Sequence, residues 1–273
     1  MSYKILDGKK ISEKKLLKIA KKIKTLKTTP ILAVIFVGNN SASEIFINLK
    51  EKACKKVSIK TQLHHYTKTN TKHLIKLIQE LNNNKQITGI MVQLPLPKNI
   101  DKEKVLSEIS FEKDVDGLNI NYFGKILNSD YGPCTPTGIM ELLSNYKIKI
   151  AKKNVCIINH SNLIGKPLAL MMLKKDATVT ICHDKTNNLK EHTRIADIII
   201  TAAGVPNLIN SSHVKKGAII IDAGVKKIKD KIYGDVNFES VKNKVSYITP
   251  VPGGVGPMTI ASLIENISKV KIK

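Results

Sequence analysis

The chain has no Cys-x-x-Cys pair; its four cysteines, Cys54, Cys134, Cys156 and Cys182, are scattered. That spacing argues against a zinc cluster and a disulfide framework, assigns no metal, and fits reduced cytosolic thiols. Long apolar runs are missing too. Stretches such as Ile198 to Ala203 and Ala218 to Ile221 are far too short to span a bilayer, which argues against a membrane protein. Met1 to Asp7 lacks the charged-then-apolar pattern of a secretory signal. No internal repeat or low-complexity linker is visible. Acidic residues are scarce, 22 against 45 basic ones, which gives a net charge of +23. Arginine is almost absent: Arg194 is the only one. Nucleic-acid surfaces recruit arginine for bidentate phosphate and base contacts. Here the lysines run along the whole chain with no block of five or six. The charge therefore reads as solvated surface that attracts small polyanions, not as a nucleic-acid patch.

What is present is a globular chain. Hydrophobic residues make up 42 % of its 273 residues, enough for a real core, and the length suggests two domains. Strands and helices alternate, the mark of an α/β fold with mostly parallel sheets. A basic amphipathic helix is expected over 12–27, with Leu16, Ile19, Ala20, Ile23 and Leu26 on one face. A strand over 31–37, a helix over 42–57, a strand over 58–66, a helix over 71–82 and a strand over 89–93 follow. A helix near 136–146 is expected to bridge two domains, with the change near 117–121. The second half then reads as strand 154–159, helix 165–173, and strands 178–182, 195–201, 218–222 and 247–249, the spacing of a dinucleotide-binding sheet. A helix over 258–270 closes the chain.

Three places carry polar groups where chemistry is possible. At 100° per residue, Ile45, Phe46, Leu49, Ala53, Cys54 and Val57 share one half of the 42–57 helix, and Lys50 falls inside that half. Ser41 and Glu44 are expected to cap this helix as an S-x-x-E box. A lysine among apolar neighbours loses its charge more readily and can serve as a base or proton relay; it can equally snorkel to water. Phe46, one turn earlier, projects into the same space, or is an ordinary core aromatic. Gln93 ends an apolar strand just before Leu94-Pro95-Leu96-Pro97, where ligands of open α/β sheets bind; it can also simply satisfy the loop backbone. Asp114-Val115-Asp116-Gly117 places two carboxylates in a turn, either to hold ligand N–H groups or only to make the turn.

Five runs resemble one family in order and spacing: Ser43 to Cys54 with Lys50, Val92 to Pro97, Lys113 to Gly117, Pro133 to Gly138, and Pro250 to Thr259. The family is the bifunctional methylenetetrahydrofolate dehydrogenase/methenyltetrahydrofolate cyclohydrolase (FolD) family, and the resemblance covers essentially the whole chain. It implies a two-domain α/β fold. Residues 1–118 and 257–273 would form a folate-binding catalytic domain, with the C-terminal helix returning to it. Residues 119–256 would form a Rossmann-type NAD(P)-binding domain. It implies oxidation of 5,10-methylenetetrahydrofolate with NADP or NAD and hydrolysis of the methenyl product to 10-formyltetrahydrofolate. It implies a cytoplasmic homodimer acting on tetrahydrofolate derivatives, polyglutamylated ones among them. Lys50, Gln93 and Asp116 match the catalytic positions. Phe46, Leu94, Pro95, Pro252, Gly253 and Gly254 join them at the substrate. Asn159, His160, Ser161, Ile164, Gly165, Lys166, Pro167, His183, Asp184, Ala203, Gly204, Gly224 and Val225 match the dinucleotide site.

The chain departs from the family at four of these positions. Phe46 stands where the family has tyrosine, so no hydroxyl orients Lys50. Asn159 replaces a tight-turn glycine, and asparagine's tolerance of unusual dihedrals is expected to preserve the turn. His160 replaces arginine and Asp184 replaces serine; both changes favour NAD, since a carboxylate accepts from a ribose hydroxyl and repels a phosphate. NADP is favoured by the family. Two other readings stand beside the bifunctional enzyme: a folate-binding relic with one activity weakened, and a basic nucleic-acid-binding α/β protein.

Overall fold

The computed structural model describes residues 3–129, 132–229 and 231–270. The described residues form two compact units, one from Met1–Ser12 and Ile126–Thr259, the other from Glu13–Lys125 and Ile260–Lys273. No helix among the described residues is long and apolar enough to cross a membrane.

The 13–125 unit is built on a three-stranded parallel sheet. Ile31–Val37 lies between Lys60–Tyr66 and Gly89–Val92. The central strand is apolar at every position and buried nearly throughout, as expected of a parallel strand covered on both faces. The edge strand Lys60–Tyr66 is half exposed, and its sequence is correspondingly polar. One core joins Ala33, Ile35, Ile90 and Val92 to Leu74, Ile78 and Leu81 of the helix Thr71–Asn83. Part of the C-terminal helix belongs to this unit: Glu265 pairs with Lys15 at 3.0 Å, and Asn266 Nδ2 donates to the Val115 carbonyl at 2.9 Å.

The other unit carries a six-stranded sheet, parallel throughout, in the order Lys4–Ile5, Tyr247–Ile248, Ile219–Asp222, Ile198–Thr201, Asn154–Ile158, Thr178–Cys182. Its side chains alternate between two cores. Val155, Ile157, Ile198 and Ile200 face one; Cys156, Ile158, Ile199 and Ile220 face the other. The chain runs outward from Asn154–Ile158 to Thr178–Cys182, then crosses back to Ile198–Thr201 on the other side. The winding therefore reverses between the strands 154–158 and 198–201, and ligands of such sheets bind beyond the carboxyl ends at that point.

Most expected elements are present, with shifted ends. The first helix is Gly8–Ile23, not 12–27. The strand expected over 195–201 is Ile198–Thr201, and Ile195 instead ends a short helix, Leu189–Ile195. Residues 1–12, placed by sequence with the folate-binding domain, group with the six-stranded sheet because Lys4–Ile5 pairs with Tyr247–Ile248. The capping box is a correction. The helix is Ser41–Lys56, and its cap is Asn40, whose side chain accepts from the Ser43 N–H at 3.0 Å; Ser41 is already inside the helix. The wheel also needs one change: Ile47 is buried and Leu49 is 45 % exposed.

Candidate active site

The Lys50 helix follows the central strand Ile31–Val37 after Gly38, which adopts φ +89°. Lys50 is half-buried. Its Nζ donates to Gln93 Oε1 at 3.2 Å and lies 3.1 Å from Met91 Sδ. Gln93 is 8 % exposed, and its Nε2 donates to the Leu94 carbonyl at 2.8 Å. That second bond fixes which end of the amide faces the lysine. Gln93 thus acts as an oriented acceptor for Lys50 at the carboxyl end of Gly89–Val92. Ser43 Oγ donates to the same Leu94 carbonyl at 3.5 Å, tying the first turn of the Lys50 helix to the Leu94-Pro95 turn. Phe46 is half-buried one turn before Lys50. Met91 was not singled out from sequence, although the signal existed: it lies two residues before Gln93, on the same strand face.

Asp116 lies in a loop held by its neighbours. The buried Asp114 accepts from the N–H groups of Gly117 (2.9 Å), Leu118 (3.2 Å) and Asn119 (3.0 Å). Lys113 donates to the carbonyls of Leu81, Asn82 and Asn84 at 2.7–2.8 Å, capping the end of the helix Thr71–Asn83. Burial pulls the Lys113 ammonium below the usual lysine range. The loop lies against the strand that carries Gln93, through a bridge between Ile90 and Asp114, and a Cβ on Gly89 would strike Val115. Asp116 itself is half-buried and, among the described residues, makes no hydrogen bond or ion pair with Lys50 or Gln93. The two aspartates therefore divide the work. Asp114 builds the turn, and Asp116 keeps its carboxylate for something else.

In the other unit, Asn159 and Thr201–Ala203 stand at the carboxyl ends of the two strands where the winding reverses. Asn159 does not have a positive φ; its value lies in its side chain, not in the dihedral tolerance expected from sequence. Oδ1 accepts from Ser161 N (2.9 Å), Ser161 Oγ (2.7 Å) and Gly165 N (3.0 Å), while Nδ2 donates to the Ala202 carbonyl at 2.7 Å. One amide thus shapes the 159–165 loop and ties it to the neighbouring strand end. Gly165 is required here, since a Cβ would overlap the Asn159 carbonyl. Ile164 is the residue before the helix Gly165–Leu173, Pro167 lies in its first turn, and Lys166 donates to Asn162 Oδ1 at 2.8 Å.

His160, His183 and Asp184 are exposed together at the next strand end. The two imidazoles lie 4.7 Å apart, tilted at 47°. One donor atom from each of the three residues falls within 4.8 Å of the others, close enough to consider a metal. That set is already engaged: His183 Nδ1 accepts from the Lys185 N–H at 3.1 Å, and Lys185 Nζ lies 3.4 Å from Asp184. Ala203 and Val225 are exposed at the lip, and Gly204 takes φ +69° beside the Val225 carbonyl. Gly224 is buried against Asp235, with no room for a Cβ.

Pro252, Gly253 and Gly254 form a tight turn in this unit. Gly253 has φ +115°, and its carbonyl accepts from the Lys9 N–H at 2.9 Å. A Cβ on Gly254 would press on the Pro250 carbonyl and Thr249. Two site features escaped sequence reading, the buried Asp222 and Asp235. The sequence offered only an aspartate closing an apolar strand and a Gly-Asp pair.

Comparison with known proteins identifies relatives of the whole chain. Residues 6–116 match the model of the tetrahydrofolate dehydrogenase/cyclohydrolase catalytic domain, and residues 133–273 that family's NAD(P)-binding domain. The "Bifunctional protein FolD" of Nitrosospira multiformis is 48 % identical over 97 % of this chain and 95 % of its own length. The crystal structure of the bifunctional methylenetetrahydrofolate dehydrogenase/cyclohydrolase of Campylobacter jejuni superposes with a TM-score of 0.94 at 45 % identity, covering 98 % of both chains. The Trypanosoma brucei enzyme, solved with NADP and an inhibitor, gives 0.93 at 31 % identity over 98 % of this chain and 96 % of its own. With a lysine–glutamine pair at one parallel sheet and a reversal-point crevice at another, the chain belongs to the tetrahydrofolate dehydrogenase/cyclohydrolase family.

Proposed function

We infer that this chain oxidises 5,10-methylenetetrahydrofolate to the 5,10-methenyl form with a nicotinamide dinucleotide, and hydrolyses that product to 10-formyltetrahydrofolate. The observation that carries the reading is the Lys50–Gln93 pair: an amine aligned by an oriented amide at the carboxyl end of a parallel strand. The methenyl carbon is electron-poor, and water adding to it must lose a proton. Lys50, as the neutral amine, takes that proton; the hydroxyl proton of the adduct then passes to N5 as the N5–carbon bond breaks and the formyl carbonyl forms. Gln93 Oε1 holds the amine in place. Asp116 accepts hydrogen bonds from N–H groups of the pterin ring. Phe46 offers a ring face to the pterin, and Leu94 and Pro95 border the same place. Gly253 and Gly254 allow close backbone approach.

The crevice at the strand reversal fits a dinucleotide, because Gly165 keeps the loop close-packed and Asn159 sets its path. When bound, the dinucleotide accepts the hydride removed from the methylene carbon. Asn159 to Pro167, His183 and Asp184, Ala203 and Gly204, and Gly224 and Val225 are the residues that would hold it. Asp184, 68 % exposed at its side chain and paired with Lys185 at 3.4 Å, keeps further acceptor positions open to solvent for an adenosine ribose hydroxyl. This supports NAD as a usable cofactor beside NADP. The functional division assigns folate to the unit of the three-stranded sheet with its part of the C-terminal helix, and the dinucleotide to the unit of the six-stranded sheet. A cytoplasmic homodimer fits four buried thiols, none in a disulfide, and the exposed edge strand Thr178–Cys182, with Ile181 39 % exposed. The basic surface suits a polyglutamylated folate tail.

The test is one coupled assay: methylenetetrahydrofolate with NAD or with NADP, following methenyl formation and decay separately. Both phases are expected. Absence of methenyl formation with either cofactor would overturn the reading, and formation without enzymatic decay would leave only the dehydrogenase.

A further inference from the structure

Among the described residues, the least exposed carboxylate of the six-stranded unit is Asp235, at 1 %. Its partners all come from one place. Oδ2 accepts from Thr201 Oγ1 at 2.7 Å and Ala203 N at 2.6 Å, and Oδ1 accepts from Val205 N at 2.8 Å. These three donors are the last residue of the strand Ile198–Thr201 and the loop that leaves it. The loop turns through Gly204, so the N–H groups of 203 and 205 both point inward to the carboxylate. Ala203 and the 49 %-exposed Val205 face outward. The carbonyl of Ala202 is taken by Asn159 from the facing loop. Both walls of the reversal-point crevice are thus stapled by side chains, and the wall at 201–205 is stapled by Asp235.

Asp235 is itself anchored by a second buried carboxylate. Asp222 Oδ1 accepts from the N–H groups of Gly224 (2.9 Å) and Asp235 (3.1 Å), and Oδ2 from Val236 (2.9 Å). Two glycines make room. A Cβ on Gly224 would strike the Asp235 carboxylate, and one on Gly234 would strike that of Asp222. Among the described residues neither aspartate meets a cation within ion-pair distance. A buried anion held only by loop amides and a hydroxyl has its orientation set by those donors, and in turn sets theirs.

We propose that Asp235 is a positioning residue for the dinucleotide: it fixes the 201–205 loop so that this lip of the crevice receives the nicotinamide dinucleotide. The proposal rests on the dinucleotide-dependent reading above. An amide at 235 keeps the shape but turns an N–H₂ toward donors. The Thr201 hydroxyl can rotate to accept, whereas a backbone N–H cannot, so one loop amide loses its partner.

The test combines titration calorimetry of the whole protein, using NAD and NADP separately, with the hydrolysis of supplied methenyltetrahydrofolate in the absence of dinucleotide. Asp235→Asn is expected to weaken dinucleotide binding about ten-fold or more, and to raise the dinucleotide KM while leaving kcat at saturation and methenyl hydrolysis near wild type. Thr201→Val, which removes one donor, is the second variant should Asp235→Asn not fold. It should weaken dinucleotide binding in the same direction, with Thr201→Ser restoring it. Unchanged dinucleotide binding in Thr201→Val and in any folded Asp235→Asn would overturn the proposal. So would a parallel loss of methenyl hydrolysis and dinucleotide binding in Asp235→Asn, which marks a general scaffold role. Failure of the wild type to bind either dinucleotide would overturn the functional reading and this proposal with it, whereas wild-type binding with indifferent variants removes only the proposal.

Discussion

Asn159→Gly puts the family's usual residue back and asks whether the asparagine side chain has become part of the dinucleotide loop. The substitution deletes four hydrogen bonds between 2.7 and 3.0 Å. At about 0.5–1.5 kcal/mol net for each, the gross loss is about 2–6 kcal/mol. Three of them share one oxygen, and both Asn159 and Ser161 are half-buried, so water recovers part. Glycine adds about 0.5–1 kcal/mol of backbone entropy cost. A net loss of about 2–3 kcal/mol follows, or a fall in Tm of roughly 5–10 °C for a protein of this size. The Ala202 tether is lost as well, so the dinucleotide KM should rise, with the KM for folate unchanged. Thermal unfolding and steady-state kinetics of the parent and variant measure both effects. A Tm within about 1 °C of the parent together with an unchanged dinucleotide KM would refute the reasoning, since the loop would then hold its path without the amide.

Three other outcomes are expected. Phe46→Tyr should raise methenyl hydrolysis by up to roughly ten-fold and the oxidation step by less, because the added hydroxyl orients Lys50, whereas hydride transfer needs mainly the placement of two rings; an equal effect on both steps, or none, counts against it. Asp184→Ser should raise the ratio of kcat/KM for NADP over NAD by about ten-fold, through removal of an exposed charge beside the ribose; an unchanged ratio removes Asp184 from cofactor choice. Asp222 is pushed up to about 6, chiefly by burial, from an ordinary value of 3.8. The folded protein therefore holds this proton more tightly than the unfolded chain. Relative to Asp222→Asn, the parent should gain stability as pH falls from about 6 to about 4, by up to about 3 kcal/mol, and lose that gain as pH rises through 6. Urea melts of both proteins across that range decide it, and the opposite slope contradicts the burial argument.

Much of the fold was legible because parallel strands announce themselves. Ile31–Val37 and Ile198–Thr201 are continuous apolar runs, and the helix between Gly165 and Leu173 is bounded by a glycine and a lysine pair. Lys4–Ile5 was not legible: two residues carry no periodicity, and only the partner strand Tyr247–Ile248 makes them a strand. The helix start at Asn40 was misread because Ser41 and Glu44 fit a capping pattern that Asn40 pre-empts one residue earlier. At the site, Lys50 and Gln93 were visible as polar residues in apolar settings, but their contact comes from tertiary packing of a helix over a strand 43 residues away in sequence. The turn at Asp114 to Gly117 was legible, since Asp at the first position and Gly at the fourth is a turn signature, but that Asp114 builds it was not, because the sequence shows two carboxylates there and not which one meets the backbone N–H groups. Asp235 gave no sign of its role, since its partners at 201, 203 and 205 lie some thirty residues back.

The central claim is that Lys50, aligned by Gln93, carries the hydrolysis but not the oxidation. Lys50→Met tests it most directly: the side chain stays unbranched and only one atom shorter beside Met91, adds no buried charge, and leaves Gln93 Oε1 without its donor. Supplied with methylenetetrahydrofolate and the preferred dinucleotide, the variant should still form the methenyl compound and let it accumulate. Its enzymatic decay should be slowed by about 100-fold or more, the contribution of a positioned proton-transfer group. Methenyl decay within a few-fold of the parent would contradict the account.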